Sequence, residues 1–181
     1  MTTFYSIGHG NRTVEDLIAL LASARIDCLV DVRAYPRSRR NSQFARMALE
    51  PALKSNWIQY VWEGEALGGM RRPRTDSRHC ALDDAAHRGY ADHLETPEFQ
   101  SALKRLVALG ESRAIAFMCA ETNPEHCHRS FIADALSARG VEVMHLIGLH
   151  DVRTHRLRES ARLLPGGHLV YDSCVQLGLG L

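Results

Sequence analysis

The stretch Ala114–Leu136, AIAFMCAETNPEHCHRSFIADAL, constrains this chain more than any other. It opens on an apolar run, Ala114–Met118, of the length of a buried strand. Cys119 and Glu121 follow, the chain turns through Thr122-Asn123-Pro124, and His126-Cys127-His128-Arg129 stand before a helical pattern. Phe131, Ile132, Ala135 and Leu136 share one face of that helix, and Gly140 is placed to act as its C′ residue. A strand–loop–helix unit sets its loop at the carboxyl end of the strand, where open α/β sheets bind ligands.

The rest of the chain repeats this alternation. Thr3–Ile7 reads as a strand, and Gly8-His9-Gly10-Asn11-Arg12 as a sharp turn. Thr13 is then an N-cap with Asp16 as its capping-box partner, ahead of Val14, Leu17, Ile18 and Leu21 at helical spacing. The two glycines expose peptide N–H groups at a helix start, an anion seat without the spacing of a dinucleotide fingerprint. Further strands are read at Asp27–Arg33, Trp57–Trp62, Arg113–Met118 and Val141–Leu146, with helices at Ala45–Ser55, Gly89–Leu94 and after Thr96-Pro97. Cys28 inside the second strand reads as core packing, and Asp31 as either a structural ion pair or a site residue.

Alternating strands and helices predict a single-domain, three-layer α/β/α fold, Rossmann-like, with a mainly parallel sheet of about five strands. An order 3-2-1-4-5 makes strands one and four neighbours, so that His9 meets Cys119. One domain is expected over residues 1–181. Within it, residues 63–88 form a long loop or lid, and residues 148–181 a C-terminal extension read as an extra strand or a docking arm.

Five cysteines at 28, 80, 119, 127 and 174 follow no disulfide framework, which predicts reduced thiols in a cytoplasm. The chain shows no signal peptide at its start and no apolar run of membrane-spanning length, so no membrane partner is expected. Net charge is only +1, but 20 of the 22 basic residues are arginine, the side chain suited to bidentate phosphate contacts. Arg33, Arg37, Arg39, Arg40 and Arg46 lie between Val32 and Leu49 with no acid among them. That segment is either a solvated loop or a phosphate or nucleic-acid surface, joined by Arg71, Arg72 and Arg74 of the long loop.

Five motifs in order carry a family resemblance: IGHGNRT, DVRAYPRSRRNSQF, LGG at Leu67–Gly69, RGYADHLETPEFQ and MCAETNPEHCHRSFIADAL. Together they resemble the family catalogued as domain of unknown function 488, from about Phe4 to Ile147. The resemblance implies a small α/β domain of bacteria and archaea and names no reaction. Gly10 departs from the Ser more frequent in that family and removes one hydroxyl from the expected anion seat.

The chemistry rests on the residue types. Cys119, Glu121 and His9 are the catalytic candidates: a thiol after a strand, near histidines, an arginine and a helix start, is set up for a lowered pKa. Cys-x5-Arg is absent, since Cys119 and Arg129 stand ten apart and Ala133 follows Cys127 by six, which excludes cysteine-phosphatase and rhodanese loops. Gly8, Gly10, Asn11, Arg33, Arg37, Arg39, Arg40 and Arg129 are the anion-binding candidates, with Asp31, Tyr90, Cys127 and His128 on the same rim. No cofactor is called for, although Cys119, Cys127 and His128, with His9 as a fourth, are possible metal ligands. The partner expected is a phosphate-bearing small molecule, a nucleotide or a nucleic acid; the alternatives are a non-catalytic nucleic-acid module and a metal-binding Cys/His site.

Overall fold

The backbone follows the two apolar periods of the sequence. A computed structural model describes residues 3–37 and 40–172, so Arg39 and Cys174 lie outside the described residues. The elements run β1 (Thr3–Gly8), α1 (Val14–Ser23), β2 (Cys28–Asp31), α2 (Arg46–Lys54), β3 (Gln59–Trp62), α3 (Gly64–Leu67), α4 (Ala85–His93) and α5 (Pro97–Gly110). Then come β4 (Ile115–Cys119), α6 (Arg129–Ser137), β5 (Glu142–Gly148), β6 (Asp151–Thr154), β7 (Ala161–Leu163) and β8 (Leu169–Tyr171). The start signals act as expected. Thr13 and Asp16 form a reciprocal capping box on α1, and Thr96 caps α5 with Pro97 in its first turn.

β1 to β5 are parallel in one sheet of order β3-β2-β4-β1-β5-β6, and β6 runs antiparallel at its edge. The fold is the expected single-domain α/β class, but the strand order is corrected. The two central strands exchange places, β4 lying between β2 and β1. Both strands are flanked on each side, and β4 is buried at all five positions against four of six in β1. The main sheet has six strands, in line with the expected sheet of about five. The tail supplies β6 and a separate β7–β8 ribbon, whose Tyr171 carbonyl accepts from Ala81 N–H at 3.0 Å and holds the end of the long loop.

Residues 63–88 are less irregular than their sequence reads. They contain α3 and the start of α4, whose N-cap Asp84 accepts from His87 N–H at 2.8 Å. α4 thus begins four residues before the expected Gly89.

Side-chain alternation sorts the core into two layers. Ile115, Phe117 and Cys119 face the layer that holds α4, α5 and α6; Ala116 and Met118 face the layer that holds α1 and α2. The chain therefore leaves β2 toward one face of the sheet and the neighbouring β4 toward the other. That divergence opens a crevice at the carboxyl ends of these two strands, the place where α/β sheets take ligands.

Candidate active site

The crevice is a cleft of about 710 Å3. One wall is Arg33, Ala34 and Tyr35 from the end of β2; the other is Cys119, Ala120 and Glu121 from the end of β4, with His126, Cys127 and His128. Tyr90 and His87 of α4 and Gly69 and Met70 of the long loop close the side.

At the floor, two sulfurs converge on one nitrogen. His128 Nδ1 stands 3.7 Å from Cys119 Sγ and 3.8 Å from Cys127 Sγ. His128 Nε2 lies 3.1 Å from the Val32 carbonyl, which can only accept, so Nε2 carries a hydrogen and Nδ1 is the nitrogen that faces both thiols. The Tyr90 ring flanks the imidazole at 5.0 Å, anchored by its hydroxyl donating to Leu67 O at 2.6 Å. Gly69 is required here. A Cβ on it would stand 2.9 Å from Nδ1 and 3.3 Å from Cγ of the ring, which would have to shift.

The two thiols are made unequal by their surroundings. Cys119 is held below the ordinary thiol range, first by the hydrogen bond from Cys127, against burial, then by the N–H groups of Ala120 and Glu121 and the charge of Arg129. Cys127 is pushed well up by the same bond and by burial. Cys28, in the core, is raised to about 11 by burial.

The other expected site residues are placed differently. His9 does not reach Cys119. In the register Gly8 pairs with Cys119, so the next side chain, His9, points to the opposite face, and its ring stacks on Phe44 at 4.3 Å. Its Nδ1 donates to Gly10 O at 2.9 Å, and burial lowers its pKa. The anion seat at Gly8–Asn11 is closed from within: His9 N–H donates to Cys119 O at 3.0 Å and Gly10 N–H to Ala120 O at 2.8 Å. Gly8 is needed for that contact, since a Cβ there would fall 1.8 Å from Glu121 O. Asn11 is exposed.

The arginines divide into two sets. Arg129 is fully buried, donating from Nε to Ser6 Oγ at 3.0 Å and from its terminal nitrogens to the carbonyls of Glu121 and Thr122. Its unfavourable charge at a helix start is thus met by carbonyls that fix the site loop. Arg33 is likewise committed to Asp31, with Nε donating at 2.8 Å, and to Phe44 O at 2.8 Å. Asp31 also accepts from Tyr60 OH at 2.6 Å, which makes it the anchor of an ion pair at the rim. Arg37 and Arg40 are exposed on the segment that leaves Tyr35, and Arg72 is exposed on the long loop.

One polar chain beside the site escaped the sequence reading. Arg129 Nε donates to Ser6 Oγ; Ser6 Oγ lies 3.0 Å from His145 Nδ1, His145 Nε2 2.9 Å from His155 Nδ1, and His155 Nε2 2.9 Å from Asp134 Oδ1. Arginine only donates and ionised aspartate only accepts, so Ser6 Oγ accepts at one end of the chain and His155 Nε2 donates at the other. Burial, and then the charges of His155, Arg129 and Arg153, lower the His145 pKa to about 3, which keeps this imidazole neutral. Asp134 also accepts from Tyr171 OH at 3.0 Å and pairs with Arg158. These residues come from β1, α6, β5, β8 and the segment after β6, and no local spacing announces them.

Fold and site together define a parallel α/β domain with a cysteine–histidine cleft at the carboxyl rim of its sheet. Residues 13–136, more than half of the chain and containing every cleft residue, match the family described as Domain of unknown function DUF488, and the chain belongs to that family. No curated protein and no solved structure matches it. Among the described residues, no helix is long and apolar enough to cross a membrane.

Proposed function

We propose that this chain is an enzyme that takes a small phosphate-bearing ligand of about nucleotide size into the cleft and acts on it through Cys119, Cys127 and His128. The cleft itself carries the reading. Its volume of about 710 Å3 falls among small-ligand sites, which span about 300–1,000 Å3. Two thiols and an imidazole occupy its floor, and Glu121 and His126 stand on one wall. Arg37 and Arg40, unlike the internally committed Arg33 and Arg129, are exposed for phosphate.

Thermal melts of the reduced chain with pyrophosphate, nucleoside phosphates and short oligonucleotides test this reading. A small phosphate ligand raises Tm, by the equivalent of about 2.7 kcal/mol at a concentration of 100 Kd. Arg37→Ala with Arg40→Ala weakens the shift. No shift with any small phosphate sinks the proposal. Oligonucleotide binding that falls steeply with salt and persists in Cys119→Ser identifies instead a nucleic-acid module built on Arg37, Arg40 and Arg72.

A further inference from the structure

We propose that Cys119 Sγ, Cys127 Sγ and His128 Nδ1 hold a Zn2+ ion whose fourth coordination position opens into the cleft. The inference names a cofactor for the cleft, and it rests on the reading above only for the use made of that fourth position. The three ligand atoms lie within 4.8 Å of one another. A tetrahedral zinc with bonds of about 2.3 Å to sulfur and about 2.0–2.1 Å to nitrogen sets each sulfur–nitrogen separation near about 3.6 Å. The two separations here are 3.7 and 3.8 Å.

The surroundings of the cluster are those a metal requires. A ligating histidine usually donates its second nitrogen to a carbonyl or carboxylate, which fixes the tautomer and turns the lone pair to the ion. His128 does so through Nε2 and Val32 O at 3.1 Å. The ring is held by Tyr90, and Gly69 leaves the Nδ1 side open. When the ion enters, both thiol protons leave to solvent, and the two thiolates balance its charge.

Ligand chemistry selects the metal. Two thiolates and an imidazole suit zinc and exclude the hard cations, which need oxygen donors. Three protein ligands leave one position free, as in catalytic rather than structural zinc sites. Cys119, Cys127 and His128 all line the cleft, so that position lies within reach of a ligand oxygen or a water there.

The test is metal titration of the full chain, reduced, stripped with EDTA and transferred to phosphate-free buffer. Co2+ is expected to give a thiolate-to-metal charge-transfer band with tetrahedral ligand-field bands, and Zn2+ to displace it at one ion per chain. Cys119→Ser, Cys127→Ser and His128→Asn should each weaken zinc binding by at least about 100-fold, while Cys80→Ser, at an exposed thiol, leaves it unchanged. If a variant fails to fold, the unaltered chain still decides. Zinc should then protect Cys119 and Cys127, but not Cys80, from alkylation. A cobalt complex without the charge-transfer band, full zinc affinity in a folded Cys119→Ser, or alkylation of both site thiols at the metal-free rate overturns the proposal. The phosphate melts are run with EDTA, so the ligand reading and the zinc site fail separately.

Discussion

Arg129→Met is expected to lower folding stability by about 3 kcal/mol, from the loss of charge-assisted hydrogen bonds to three buried or half-buried oxygens. The guanidinium has no exposed surface and ties Ser6 of β1 to the Glu121 and Thr122 carbonyls of the site loop. Methionine fills much of the volume and supplies no donor. Arg129→Lys recovers at most part of the set, because a single ammonium does not span the planar fork. Urea unfolding reads the stability, and hydrogen exchange across residues 120–123 reads the loop. A variant as stable as the parent, with unchanged exchange there, contradicts the role assigned to Arg129.

Acid should unfold the domain early, and histidine rather than carboxylate should start it. His145 has a folded pKa of about 3, against 6.5 when unfolded. Its neutral form is therefore favoured by folding, so its contribution is fully present above pH 6.5 and is lost as pH falls toward 3. The unfolded chain binds the extra proton, and stability drops by roughly 1.4 kcal/mol per pH unit across that window. His9, His79, His87 and His93 are lowered by burial and act in the same direction. The surface carboxylates Asp76, Asp84, Asp151 and Asp172 are lowered from 3.8, and so enter only as pH falls toward 3.8 and below, at the acid end of that window. The urea midpoint should accordingly fall steadily from pH 6.5 to 4.5. A midpoint unchanged from pH 7.5 to 4.5 would mean that the Ser6–His145–His155–Asp134 chain carries a different proton arrangement.

What was legible in the sequence was what local chemistry controls. The apolar run before Cys119, the Thr13–Asp16 box and the Thr96–Pro97 start each act within a few residues, and each forms the element its pattern implies. Strand order is not local. β1 and β4 are both apolar and both end up flanked on two sides, so no local pattern sets which of them lies next to β2. The expected meeting of His9 with Cys119 failed on parity: adjacent strands were foreseen, but the face of each side chain depends on the pairing of Gly8 with Cys119. Two further features were hidden for other reasons. Asp84 signals the start of α4, but Ala85–Arg88 carry no apolar period to follow it. The Asp134–His155 pair joins residues 21 positions apart across α6 and the tail.

The cleft thiols were singled out from their position after a strand, and the structure adds their difference in environment. Cys119 receives a hydrogen bond from Cys127 and lies beside two backbone N–H groups and Arg129. Cys127 is held as a thiol, and Cys28 is raised to about 11 in the core. Timed alkylation of the reduced, metal-free chain at neutral pH, resolved by peptide mass spectrometry, tests this asymmetry most directly. Cys119 should be modified faster than both Cys127 and Cys28, because the thiolate is the reacting form. Modification of Cys119 no faster than Cys28 would contradict the assignment of this cluster as the working centre of the cleft.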